Sequence, residues 1–367
     1  MRSDAPLLVT ETLLRAAAGL GGSEPPVPVG DDRTWLETVR LASAHLVLPA
    51  LTTGLEAAGP IWAIPEEARH YLAMMHEANA ARNSQLNASL VAVIDSCRSV
   101  GIETIAVKGG AFLLTASAAA PWRFLGDLDL MVPERLLSRA VEVLADLGYR
   151  ADRGAAYDTA HDAHAPAMLG PDGLTIIELH SRPFAEGQWP ELEAALWWDR
   201  RIVLVGGSEV GIPSPEVRAA YLLLHSQEHH AYFAQGRLLL RDLLDLAMLR
   251  REAGGINWGE VLRHIPERSQ DCAMALLAAG ADFGIPMSGI TFSRPQRAWS
   301  ERARRRLARP VVHRQLTAAL SMARHETGRL IHDRYRTLRL ARGLAHPSDL
   351  GRKLLKKLDK LRDRAAG

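Results

Sequence analysis

Two aspartates, Asp127 and Asp129, stand one residue apart in the apolar run "RFLGDLDLMV" between Arg123 and Val132. On an extended strand, residues i and i+2 share a face, so both carboxylates point the same way with backbones about 6–7 Å apart. Leu128 and Leu130 then face the opposite side, toward a core. Two carboxylates this close repel when both are ionised, unless a cation offsets them or one takes a proton. Hard oxygen donors suit Mg2+ or Mn2+ rather than zinc. An edge strand with a solvent-facing acidic stripe would satisfy the same pattern.

Three further stretches bear on that choice. Upstream, "AVKGG" ends a β-branched run in Gly109 and Gly110 and leads into "AFLLTASAAA", which reads as a helix. Glycines at a strand-to-helix turn let backbone N–H groups approach an anion, and Lys108 adds a positive charge. The same pair also serves ordinary turn chemistry. Downstream, Glu178 interrupts the apolar strand "LTIIELHS" and can supply a third acid from a neighbouring strand. Further on, His225, His229 and His230 lie on one predicted helix. The i, i+4 pair has zinc-compatible spacing but not the His-Glu-x-x-His order of a metalloprotease, so core or surface histidines fit better.

These groups need elements to hold them. To about residue 100 the sequence is helical, and "PEEARHYLAMMHEANAARNSQLNASLVAVIDSCRSVG" reads as one long helix opened by Pro65 and closed by Gly101. "GGSEPPVPVGDD" is a Gly/Pro loop. Residues 101–212 alternate strand and helix: "GDLDLMV", the amphipathic "PERLLSRAVEVLADLGY", "LTIIELHS" and "RIVLVGG". Residues 213–367 return to helix, with "PEVRAAYLLLHSQEHHAYF" and "LLLRDLLDLAMLRREAG" the clearest segments. The expectation is an α+β protein: a small mixed β-sheet core at 101–212, between a helical region at 1–100 and a helical domain with a basic tail at 213–367.

Composition narrows the function classes. The 367 residues hold two cysteines, Cys97 and Cys272, which give no disulfide framework and no zinc spacing. No apolar run is long enough to span a membrane, and the N-terminus lacks the apolar region of a signal peptide, so a cytoplasmic location is expected. From Arg294 onward there are 21 Lys and Arg against 6 Asp and Glu, while the whole chain sums to +2. This basic tail reads as a solvated helical surface or as a platform for an anionic partner. Its last segment, "DLGRKLLKKLDKLRDRAAG", sets Leu350, Leu354, Leu358 and Leu361 on one face. There is no P-loop, no dinucleotide-binding Gly-x-Gly-x-x-Gly after a strand, and no Gly-x-Ser-x-Gly elbow.

Taken in order, "VKGGAFL", "RFLGDLDLMV", "IIELHSRPF" and "LLLHSQEHHAYFAQGRLLLRDLLDL" resemble the nucleotidyltransferase superfamily of polymerase-β type, and more narrowly its branch of uncharacterised nucleotidyltransferases. The resemblance runs from about Lys108 to Asp245. It departs from the superfamily in a Gly-Gly turn where Gly-Ser is common, and in a longer gap before Asp127.

The resemblance implies a two-metal, NTP-dependent transferase, with ATP among the possible nucleotides. It would move a nucleoside monophosphate, or conceivably a phosphoryl group, to a hydroxyl of a small molecule, a peptide or protein, or an RNA. Asp127, Asp129 and Glu178 would hold Mg2+ or Mn2+, with Glu178 alternatively the base toward the acceptor. Gly109 and Gly110 would cradle the β- and γ-phosphates, and Lys108 and Arg123 would contact phosphate, the alternative for Arg123 being to pair with an acid on the strand. His225, Arg237, Arg241 and Asp242 would line the nucleotide cleft, and His161, His164 and His180 could face it. Two other readings stay open: a catalytically degenerate fold that binds a nucleotide or partner, and a toxin-like tRNA nucleotidyltransferase.

Overall fold

The computed structural model describes residues 5–21, 31–59, 64–115, 120–151, 165–184 and 188–307, all within one compact unit, Met1–Pro310. Helices α1 (Ala5–Ala17), α2 (Asp32–Ala44) and α3 (Leu48–Ala58) come first. Asp31 caps α2 by accepting from the Arg33 N–H at 2.8 Å, and Pro49 opens α3. Helix α4 (Glu66–Ser99) is a single 34-residue rod, about 50 Å long at 1.5 Å per residue. Pro65 and two glutamates start it, and Gly101 ends it in the left-handed region, as its sequence foretells.

Next follow β1 (Ile105–Val107), α5 (Lys108–Thr115), β2 (Leu128–Met131), a 3-10 turn at Glu134–Leu136, α6 (Leu137–Asp146), β3 (Arg150–Ala151), β4 (Met168–Leu169) and β5 (Ile176–His180). The remainder comprises α7 (Pro190–Trp198), β6 (Arg200–Val205), β7 (Ser208–Pro213), α8 (Pro215–Leu224), a π-helical turn at His225–His229, α9 (Tyr232–Gln235), α10 (Leu240–Ala253), α11 (Trp258–Arg263), α12 (Glu267–Asp282) and α13 (Arg294–Leu307). Among the described residues seven strands form one mixed sheet in the order β3-β4-β5-β2-β1-β7-β6. Strand β2 runs antiparallel to β1 and parallel to β5, and β1 runs parallel to β7. The fold is therefore α+β, with helices on both sides of a mixed sheet.

The central strands are buried on both faces, and their alternation sorts two cores. Leu128, Leu130, Ile177 and Leu179 pack with Leu86, Leu90, Val143 and Leu144 of α4 and α6. Ile105, Val107 and Met131 join the larger core built by α1, α3, α8, α10 and α12, around Leu13, Leu51, Leu224, Leu244 and Leu277. Asp129 therefore faces this second helical mass, on the side opposite Leu128 and Leu130.

Three local features differ from the sequence expectation. Helix α5 begins at Lys108, so the Gly pair lies in its first turn rather than before it. Strand β2 begins at Leu128, leaving Asp127 just ahead of the regular ladder. The segment 215–233 is not one continuous helix: it passes from α8 through the π-helical turn and breaks at Ala231, whose φ is +54°. Local propensity reads an unbroken apolar period there, whereas packing of the three histidines and Phe184 selects the wider turn.

Candidate active site

Strand register creates the centre of the site. Asp129 pairs with Glu178 across the parallel β2–β5 ladder, and Met131 pairs with His180. Glu178 and His180 are i and i+2, so they share the face on which Asp129 stands. The Asp129 Oδ1 atom lies 2.9 Å from His180 Nε2, which in turn lies 3.7 Å from Glu178 Oε2. One donor atom from each of Asp129, Glu178 and His180 falls within 4.8 Å of the others. Asp129 and His180 are buried, and Glu178 is half-buried.

Lys108 reaches the same oxygen from the other side. Its Nζ donates to Asp129 Oδ1 at 2.7 Å and lies 5.7 Å from the centre of the Tyr221 ring. Lys108 adopts φ +47°, which turns the chain from β1 directly into α5. Burial opposes its ammonium, but Tyr221 and Asp129 outweigh burial and raise its pKa. Burial likewise works to raise the Asp129 carboxyl, yet Lys108 and the His180 hydrogen bond hold it well below the usual carboxylate range. Glu178 moves the opposite way: burial, then the charges of Asp129 and Asp127, push it up. Neighbouring carboxylates thus carry different proton affinities, a division that suits one to bind a cation and another to accept a proton.

Asp127 sits exposed at the lip of this cluster. Desolvation and the Asp129 charge raise its carboxyl, against Lys108, Arg123 and Arg241. The structure thus brings Asp127, Asp129, Glu178 and Lys108 to one place, with His180 closer to the centre than Asp127. Tyr221, which the sequence reading did not single out, closes the floor; burial pushes its hydroxyl up to about 12.

Arg123 has its partner within the protein. Nε and Nη2 form a two-pronged pair with Oδ1 and Oδ2 of Asp245 on α10, both at 2.9 Å, and the guanidinium lies 5.2 Å from the Phe112 ring centre. Of the two roles weighed for Arg123, pairing with an acid is the one formed here, to a helix rather than to the strand.

Close packing accounts for Gly109. A Cβ on Gly109 would stand 2.6 Å from Leu125 Cδ2 and 2.8 Å from Arg123 Nη1, whereas one on Gly110 would make only ordinary contact, 3.4 Å from the Asp129 carbonyl oxygen. The first turn of α5 thus lies directly against the segment 123–129.

That segment is also held from α4. Asn79 Nδ2 donates to the carbonyls of Pro121 (2.7 Å) and Arg123 (3.1 Å), and Asn83 Nδ2 donates to those of Ala120 and Arg123, both at 2.9 Å. Arg82 donates to the Leu125 carbonyl. These three residues escaped the sequence reading. Their signal was present in the long helix: polar side chains at i, i+3 and i+4 on a face whose next turns, Leu86 and Leu90, are core.

The histidine turn borders the site. His225 and His229 stack with centroids 5.1 Å apart, His225 and His230 meet edge-on at 4.4 Å, and His230 lies over Tyr232 at 5.3 Å. Burial first, with Lys108 and the other histidines, keeps His225 well below the usual imidazole range; burial and His229 bring His230 to about 4. Both are uncharged at neutral pH. Arg237 is exposed and covers the Tyr232 ring at 4.7 Å. Asp242 is buried and pushed up to about 6, burial being the main cause. His161 and His164 lie outside the described residues, as do the basic tail beyond Leu307 and most of the Gly/Pro loop. Among the described residues no helix is long and apolar enough to cross a membrane.

Comparison with known proteins gives one family match: the family described as "Uncharacterised nucleotidyltransferase" matches residues 31–279. No curated protein matches. A crystal structure of an antigenic nucleotidyltransferase-like protein from Paracoccidioides brasiliensis is similar at 18% identity, covering 56% of this chain and 96% of that one, with a TM-score of 0.36.

Proposed function

Because the chain belongs to the uncharacterised nucleotidyltransferase family, we propose that it transfers a nucleoside monophosphate from an NTP to a hydroxyl acceptor, with a divalent cation of the Mg2+ or Mn2+ type. The observation that carries this reading is the register of Asp129 with Glu178 on adjacent parallel strands, with Asp127 at the lip and Lys108 facing the same carboxylate. The donor set is rich in carboxylate oxygen and fits a hard dication.

Asp127, Asp129 and Glu178 would hold the cation, which supplies charge neutralisation on phosphate and a lowered acceptor pKa. Lys108 is the ammonium nearest to incoming phosphate oxygens, and the N-terminal N–H groups of α5 add favourable polarity there. As the alternative to a ligand role, Glu178, with its raised pKa, is the group suited to take the acceptor proton. The neutral imidazoles of the 225–230 turn, with Tyr232 and Arg237, offer a flat surface for a base, while Arg241 places a cation near Asp127. Arg123 acts through Asp245 to position the strand entrance. The basic stretch from Arg294 onward suits an anionic acceptor or partner.

Incubation with Mg2+ or Mn2+, cell extract and each NTP labelled separately at the α- or γ-phosphate tests the reading. Transfer of α label is expected, with a loss of at least about 100-fold in Asp129→Asn. Transfer of γ label alone would make the protein a kinase. Metal-dependent transfer absent from the wild type, with each NTP, would leave a nucleotide-binding fold without turnover.

A further inference from the structure

The tightest group of potential donors is not the three carboxylates but two carboxylates and an imidazole. From this we infer that Asp129, Glu178 and His180 form a mixed oxygen–nitrogen site that selects a transition-metal dication of the Mn2+ type over Mg2+, with His180 as a direct ligand. The inference rests on the proposed function only in placing the cation at these carboxylates.

Geometry and donor chemistry point the same way. Two donors about 2.1 Å from one octahedral ion stand about 3.0 Å apart when adjacent and about 4.2 Å apart when opposite. The 2.9 Å from His180 Nε2 to Asp129 Oδ1 matches two adjacent donors, the 3.7 Å to Glu178 calls for a small shift of that half-buried side chain, and because Lys108 Nζ donates to the same Oδ1 at 2.7 Å the ion would take the remaining lone pairs of the Asp129 carboxylate. The parallel register fixes the arrangement: Glu178 and His180 project from one strand on one face, and the imidazole leans back from its position beside Met131 to reach Asp129.

With its proton on Nδ1, the ring presents the Nε2 lone pair between the two carboxylates; with the proton on Nε2 it donates to Asp129 instead. Imidazole nitrogen binds first-row transition metals well, whereas Mg2+ keeps to oxygen ligands and water. Exchanging one carboxylate for imidazole in the donor set therefore shifts preference away from Mg2+. Zinc also accepts imidazole and carboxylate ligands, so the preference inferred is for transition-metal dications over Mg2+, with Mn2+ as the probe. The competing role for His180 is to donate a hydrogen bond to a ligating carboxylate without touching the ion.

The test is Mn2+ binding by full-length protein without nucleotide, followed by electron paramagnetic resonance with pulsed detection of coupled nitrogen. Wild-type protein is expected to show a directly bound imidazole nitrogen and to keep its Mn2+ against an equal concentration of Mg2+. His180→Gln is expected to lose the nitrogen coupling and to weaken Mn2+ binding by about 10-fold or more, with Mg2+ affinity changed far less. Circular dichroism of the variant confirms that it folds, and a misfolded variant leaves the wild-type nitrogen signal as the deciding measurement. Bound Mn2+ with no nitrogen coupling, or equal competition by Mg2+, would overturn the inference. These readouts need no turnover, so failure of nucleotide transfer and failure of nitrogen ligation are separate results.

Discussion

Asp242 is the clearest case of a single residue whose burial sets a measurable property. Its Oδ2 is buried with no hydrogen-bond partner among the described residues, and its pKa is pushed up to about 6 by burial, against Arg241. The folded state therefore binds this proton more tightly than the unfolded state, where the value is near 3.8. The stabilisation is present in full below about pH 4 and is lost as pH rises toward 6, an effect of about 3 kcal/mol for a shift of about two units. Asp242→Asn should remove this dependence. Urea unfolding at pH 4 and pH 7 should show the variant gaining on wild type by up to about 3 kcal/mol at the higher pH, and parallel curves would contradict the assignment. Arg123 and Asp245 show the opposite economy: two buried charges, fully paired, whose separation would strand a guanidinium in the core.

At the scale of elements, α4 acts as a rail for the segment that carries the aspartates. Asn83→Ala removes two buried hydrogen bonds, to Ala120 and Arg123, and should destabilise by about 1–3 kcal/mol in urea unfolding. Transfer activity should fall by more than that loss of folded population explains, because the freed segment leads straight into Asp127 and Asp129; activity tracking folded fraction alone would refute a positioning role. How well each element was legible follows from where its information lies. Alternation in "GDLDLMV" and "LTIIELHS" made the strands and their acids readable. The pairing of those two strands, and with it the closeness of His180, depends on register between segments about 50 residues apart, which no local pattern encodes. The π-helical turn was hidden for a related reason, since its sequence keeps helical spacing and only tertiary contacts widen it. Strands β3 and β4 carry too few residues to announce themselves, and β7 mixes Ser208, Glu209, Gly211 and Pro213 with only two apolar β-branched residues.

For the whole molecule, the sheet divides two cores, and the site occupies the face turned toward the larger one, built from helices on both sides of it in sequence. The first and last described helices are joined as well: Arg304 on α13 pairs with the buried Glu11 on α1, with Nε 2.9 Å from Oε1. Glu11→Ala should destabilise by about 1–3 kcal/mol, a range lowered by the partial exposure of Arg304, and the loss should diminish when Arg304→Ala is already present. A double-mutant cycle in thermal or urea unfolding measures this coupling; additive effects would mean the pair contributes nothing. The α+β class was readable from composition and period, but not that segments 293 residues apart meet. The Arg123–Asp245 pair has a consequence in the order of synthesis. A ribosome adding about 5–20 residues per second needs on the order of 10 s to pass from Arg123 to Asp245. Until α10 emerges, Arg123, just ahead of the strand bearing Asp129, lacks its hydrogen-bonded carboxylate, and before that β1 lacks its neighbour β7. A nascent chain therefore carries Lys108, Asp129, Glu178 and His180 before it gains β7, and gains β7 before the acid that pairs with Arg123.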